Sequence, residues 1–156
     1  MTIRSAGILL YRRTSTAGLE VWIAHMGGPF WAHKDARAWS IPKGEYLEDE
    51  DPLRAARREF EEEMGVPAPS VDYFLLGSFR QPSGKIISAF AAESDFAPEK
   101  IESNTFDLEW PKGSGVVRSY PEIDDAVWAT ETVARIKLVG GQVPVLDALI
   151  RHLGPR

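Results

Sequence analysis

Cysteine is absent from the sequence. Its absence excludes disulfides, thiolate metal sites and cysteine nucleophiles, and it fits a reducing compartment. No apolar run is long enough to cross a membrane. The N-terminal MTIRSAGILLYRR has a short apolar stretch but not the length or cleavage pattern of a signal peptide. A cytoplasmic protein without membrane contact is therefore the expectation. An excess of positive charge is lacking too, since 18 Lys+Arg stand against 23 Asp+Glu for a formal net charge of -5. That balance gives no basic footprint for a nucleic-acid polymer. An acidic protein still binds a polyphosphate when metal ions sit between them. Internal repeats and low-complexity segments are also missing. The 156 residues, 44% hydrophobic and 26% charged, suit one domain, 1–156, with its own core.

The stretch around which the chain is organised is Gly44–Val66, GEYLEDEDPLRAARREFEEEMGV. It reads as a loop feeding one helix. Asp51 is a good N-cap, and Pro52 at the first helical position loses no hydrogen bond. Gly65 ends the helix and Pro67 keeps it from resuming. At about 100° per residue, Leu53, Phe60 and Met64 form one apolar stripe. Glu59, Glu62 and Glu63 share a separate flank at i, i+3 and i+4, whereas Glu61 points roughly the opposite way. Like charges at that spacing destabilise a helix by a few tenths of a kcal/mol per pair, a cost that a bound cation removes. Clustered carboxylate oxygens are what Mg²⁺ or Mn²⁺ prefers. The competing reading is a solvated acidic face.

The spacing bears on that choice. Gly44, five residues, Glu50, seven residues, Arg58-Glu59, an apolar residue, any residue, Glu62-Glu63, any residue and Gly65-Val66 stand in order. In this the chain resembles the Nudix hydrolase family, and in particular bacterial NTP pyrophosphohydrolases. The long gapped motif covers Gly44–Val66, and weaker similarity extends over most of the chain. The resemblance implies an α+β fold, a mixed sheet sandwiched between helices. It implies that Glu59, Glu62 and Glu63 bind Mg²⁺, with Mn²⁺ as an alternative, joined by the backbone carbonyl of Lys43 or Gly44. Glu50 and Arg58 become a structural pair that holds the loop against the helix. Some members add a carboxylate six residues before a tryptophan, and here Glu122 precedes Trp128 at that distance. Asp124, Asp125 and the more remote Glu109 compete for that role. The base that takes a proton from the attacking water is left open among Glu59, Glu62 and Glu122.

Outside the motif, Ser5–Arg12 and Glu20–Met26 read as antiparallel strands joined by a turn at Thr14–Gly18. His25 is expected to be a satisfied or exposed strand residue. Gly27–Ala38 is a loop in which Phe30 or Trp31 can stack on a base and His33, Lys34 or Arg37 can meet phosphates. A surface loop anchored by its aromatics is the other reading. Lys43, before the motif's glycine, can reach a phosphate as a point charge. Asp72–Arg80 and Lys85–Glu93 read as strands around the turn Gln81–Gly84, and Ser94–Gly115 as irregular. Val116–Tyr120 reads as another strand and Ala126–Ala129 as a short strand or connection. Thr130 caps a helix over Glu131–Val139 that Gly140-Gly141 stop, and Val143–Leu153 closes the chain as a helix.

The expectation is a metal-dependent hydrolase of a pyrophosphate linkage in a nucleotide-type small molecule. A dinucleoside polyphosphate such as diadenosine tetraphosphate is the first choice. Oxidised nucleoside triphosphates, ADP-ribose and a non-catalytic nucleotide-binding module are the alternatives. A homodimer is left open.

Overall fold

The centre of the sheet is built from strands too apolar to alternate with polar residues. The computed structural model describes residues 2–155; Met1 and Arg156, the ends of the expected 1–156 domain, lie outside them. Strand β1 (Arg4–Thr14) is buried without interruption from Ser5 to Tyr11, as a strand covered on both faces must be. It forms a hairpin with β2 (Gly18–Met26). A short β3 (Trp39–Ser40) lies on β2, and β4 (Lys43–Glu45) pairs with β1 so that Gly44 stands opposite Ala6. Pro42, between these two, donates nothing, but its carbonyl accepts from Ile8 N–H at 3.0 Å. Further along the chain come β5 (Phe74–Arg80), β6 (Ile86–Glu93), β7 (Thr105–Glu109), β8 (Val117–Pro121) and β9 (Ile123–Thr130). Strand β6 runs parallel to β1, whereas the other pairings are antiparallel. Among the described residues the main sheet has the order β3-β2-β1-β6-β5, with β4 on β1 and β9 on β2. Strands β7 and β8 form a separate arm.

Alternate side chains of the central strands serve two cores, as the two-residue repeat of a strand requires. Ala6, Ile8, Leu10, Trp22 and Ala24 meet helix α1 (Pro52–Met64) through Ala55, Ala56, Phe60 and Met64. Leu9, Tyr11, Val21 and Ile23 face α2 (Glu131–Lys137) and α3 (Val143–Leu153) through Ala134, Val145, Leu146 and Leu149. Phe60 is fully buried, and truncating such a side chain to alanine costs about 3–5 kcal/mol. The mixed sheet between helices is the expected architecture.

Helix α1 begins and ends as its sequence requires. The Asp51 carboxylate accepts from Arg54 N–H at 3.0 Å, a cap that contributes about 1 kcal/mol. Gly65 adopts φ 80 and returns its N–H to Glu61 O at 2.8 Å. Its buried stripe differs slightly from the expected one. Leu53 in the first turn is only half-buried, and Ala56, Phe60 and Met64 at i, i+4 and i+8 take the sheet-facing positions.

Three other expectations need correction. Thr105–Glu109 lies in the stretch expected to be irregular, yet it pairs with β8 from Thr105↔Pro121 to Glu109↔Val117. Its partner lies across a long glycine-rich turn, so local pattern did not reveal the pairing. Strand β9 is eight residues long rather than Ala126–Ala129, because all of it lies along β2. Helix α2 stops at Lys137, before the glycines. Leu138 leaves the helix to bridge Trp39, and Val139 N–H donates to Trp39 O at 2.9 Å. Gly140–Gln142 instead make a single 3-10 turn into α3. The buried Gln142 fixes this turn by accepting from Ile41 N–H and donating to Ser40 Oγ.

Candidate active site

Strand β4 and helix α1 meet at Gly44. A Cβ placed there would lie 2.1 Å from the Glu59 carboxylate, so the glycine gives that side chain its place. Glu63, one turn further on, is buried, and its carboxylate accepts from Lys43 N–H at 3.2 Å. Burial pushes the Glu63 carboxyl up to about 8, with Glu122 and Glu59 adding to the rise and Lys43 opposing it. Glu59 is raised as well, by burial first and then by Glu62, while Arg58 pulls it down. Glu122, exposed at the rim, is raised by partial shielding and by Glu62, against Lys43. The three motif glutamates and Glu122 thus share one field, although nearly 60 residues separate Glu63 from Glu122.

Arg58 supplies the counter-charge and the clamp. Its guanidinium pairs with Glu50, donates to Glu45 O at 3.3 Å, and stands 3.3 Å from Glu59 and 3.8 Å from Glu62. The expected Glu50–Arg58 pair is therefore present and holds the loop before α1 against the helix. It is partly exposed, and each such contact contributes at most about 1 kcal/mol.

Glu122 is held by its backbone. Its N–H donates to Asn104 O at 2.8 Å, and its carbonyl accepts from Gly27 N–H at 2.8 Å. The carboxylates that competed with it are engaged elsewhere. Asp124 lies 2.6 Å from His25 Nδ1, Asp125 accepts from Ala126 N–H, and Glu109 accepts from Gly113 N–H within the arm. His25 is the satisfied strand residue expected, since its Nε2 meets Lys34 O at 2.7 Å.

A cleft is lined by Lys43, Glu63 and Glu122 together with Met26, Trp31 and Phe106. It continues over Met26, Trp31 and Lys43 into a more apolar recess that reaches Ile87 and Val139. Trp31 lines both parts; Phe30 packs edge-on against it with ring centroids 4.9 Å apart and is 53% exposed. Lys34 Nζ sits 3.5 Å over the Phe30 ring. Arg37, one of the cations expected to meet phosphates, is turned to another partner. At φ 59 it donates to Arg135 O and Leu138 O, capping the end of α2. Asp35 pairs with Lys137 at 2.7 Å and fastens the same loop to the same helix. Sequence reasoning missed Phe106. The alternation in TFDLE was its one signal, and the burial pattern of β7 follows it.

Among the described residues no three acidic or histidine side chains already form a metal cage. Glu59 and Glu62 repel one another, and Glu63 is occupied by the Lys43 N–H. The donor set nevertheless fits a hard divalent cation, being all oxygen and carboxylate-rich. A cation between these groups would offset the burial, and the lesser mutual repulsion, that raise Glu59, Glu63 and Glu122.

The mixed sheet between helices, with a glutamate-rich helix beside one cleft, is an α+β domain of the architecture the sequence motif implied. The NUDIX domain family model matches residues 1–149, and the chain belongs to that family. Solved structures agree on the fold. The NUDIX domain of Shewanella oneidensis NrtR, complexed with ADP ribose, has a TM-score of 0.68 and 15% identity, with 99% of this chain and 90% of that chain covered. A C. elegans Ap4A hydrolase binary complex has a TM-score of 0.61 and 19% identity, covering 97% and 98%. A MutT from Aliivibrio salmonicida and Vibrio cholerae work has a TM-score of 0.56 and 15% identity, covering 96% of each. No curated protein matches the chain by sequence. No helix among the described residues is long and apolar enough to cross a membrane.

Proposed function

We propose that this chain is a divalent-metal-dependent hydrolase that cleaves a pyrophosphate linkage in a nucleotide derivative. The observation that carries the reading is that Glu63, Glu122 and Lys43 line one cleft, with Glu59 and Glu62 of the same helix coupled to them electrostatically. Glu59, Glu62 and Glu63 would hold Mg²⁺, or Mn²⁺ in its place, with Glu122 completing the set from the rim. Bound there, the ion neutralises phosphate oxygens and lowers the pKa of a coordinated water. Lys43 meets a phosphate further along the chain as a point charge. Among the candidate bases, Glu122 is exposed and makes no ion pair with Arg58. Glu59 lies against Arg58, and Glu62 stands near it. We infer that Glu122 accepts the proton of the attacking water.

For substrate we favour a purine nucleotide with several linked phosphates, such as diadenosine tetraphosphate. Lys43 lies in the same cleft as the carboxylates, and Trp31 offers a face for a base. Oxidised nucleoside triphosphates and ADP-ribose are the other candidates. A Mg²⁺-dependent hydrolysis screen over these three classes and nucleotide sugars, with products identified by mass spectrometry, tests the reading. Glu62→Gln and Glu63→Gln should each remain folded and lose turnover by roughly a hundredfold. No turnover of any compound, or near-normal kcat in both variants at saturating Mg²⁺, would overturn the hydrolase reading. Binding without turnover would favour a non-catalytic nucleotide-binding module.

A further inference from the structure

The β7–β8 arm is fixed at its base by the same residues that build the site. Asn104 N–H donates to Glu62 O at 2.8 Å, at the end of the glutamate helix, and Asn104 O accepts from Glu122 N–H. The other leg lies on the glycine pair that opens the loop over the cleft. A Cβ at Gly27 would lie 2.0 Å from Pro121 O, and one at Gly28 would lie 2.8 Å from Phe106 Cζ. Gly28 also adopts φ 92, a conformation that L side chains rarely enter. Two adjacent glycines therefore let the arm lie close enough to bring Phe106 into the cleft wall.

Phe106 belongs to neither hydrophobic core. Its ring is half-buried, against Gly28 on one side and Tyr120 at 6.1 Å between centroids on another. It lines the same cleft as Trp31, Lys43, Glu63 and Glu122. The lining of that cleft therefore combines charged groups suited to phosphates with two aromatic residues far apart in sequence.

We propose that Phe106 is a substrate-contacting residue that, with Trp31, forms an aromatic slot selecting a heteroaromatic base attached to the phosphate chain. The proposal rests on the reading of this cleft as the phosphate-binding site. Phosphates and ribose alone leave the two aromatic side chains unused, whereas a base would cover them. Base–aromatic stacking changes affinity by about 5- to 150-fold per base.

The experiment compares binding of AMP and ribose 5-phosphate by calorimetry in the presence of Mg²⁺. Neither probe contains a phosphoric anhydride, so turnover does not enter. The wild-type chain should bind AMP at least about tenfold more tightly than ribose 5-phosphate. Phe106→Leu keeps an apolar side chain against Gly28 but removes the ring face. It should reduce that preference by about fivefold or more, and Phe106→Trp should restore it. Val117→Ala, at an exposed position on the arm, should leave the preference as it is. Thermal melts establish that each variant is folded, and should Phe106→Leu fail to fold, Phe106→Met, which also lacks a ring, carries the comparison. No preference for AMP in the wild type, or an unchanged preference in folded Phe106→Leu, would overturn the slot. A negative hydrolysis screen beside a Phe106-dependent preference would overturn the hydrolase reading and leave the slot standing. A positive screen beside a flat preference would do the reverse.

Discussion

At Gly44 a hydrogen atom stands where a methyl group would meet the Glu59 carboxylate at 2.1 Å. The residue is in strand β4 and no positive φ constrains it, so the restriction is one of space. The group in the way is the far end of a flexible side chain, which can swing aside. Gly44→Ala should therefore fold, with Tm lowered by no more than about 2–4 °C, the equivalent of about 1 kcal/mol at this size. Glu59 would then no longer share the field of Glu62 and Glu63, and metal-dependent turnover should fall by about 10- to 100-fold. Measuring kcat against Mg²⁺ concentration, together with a thermal melt, checks both halves. Full activity in a folded Gly44→Ala would show that the position of Glu59 next to Gly44 is not the one used in turnover.

Among the elements, α1 carries a prediction about phase. Glu61 is exposed and Glu63 is buried, two residues apart on the same helix. Glu61→Gln should keep kcat within a few-fold, as exposed changes usually do, while Glu62→Gln loses about a hundredfold. Similar losses in both would contradict the helical phase on which the site is built. This helix was legible in the sequence because its signals are local: a cap at Asp51, Pro52, a glycine stop and a 3.6-residue repeat. The closing helix Val143–Leu153 was legible through its apolar repeat, with Val145, Leu146 and Leu149 buried. The β7–β8 arm was not, because what makes Thr105–Glu109 a strand is a partner on the far side of a turn. The end of α2 was missed for a related reason, since Leu138 leaves the helix for Trp39, about 100 residues earlier in the chain. Glu122 stood out in the sequence by its distance from Trp128. Only the fold shows that Asp124, Asp125 and Glu109 are engaged by other groups.

At the scale of the whole molecule, the sheet and helices enclose a carboxyl group that is costly to ionise, and stability must respond to pH. Without metal, the folded Glu63 holds its proton up to about pH 8, whereas in the unfolded chain a glutamate releases it near about 4.3. Between those values the folded state binds more protons than the unfolded state, so stability falls as pH rises. Below the window both states are protonated, above it both are ionised, and the slope vanishes at each end. Glu59 and Glu122 are shifted in the same direction. Asp35 is shifted oppositely, by its bonds to Lys137 and Trp39, and therefore acts only at the acidic end. In EDTA the Tm should drop by several degrees from about pH 5 to about pH 8, and the drop should shrink in Glu63→Gln, which carries no proton to lose. Saturating Mg²⁺ should reverse the trend, because an ion held by the ionised carboxylates, as proposed, would gain affinity as pH rises. A Tm that climbs with pH in EDTA, or a pH profile that Mg²⁺ leaves unchanged, would mean that this buried carboxyl is not where the fold stores the cost that metal binding relieves.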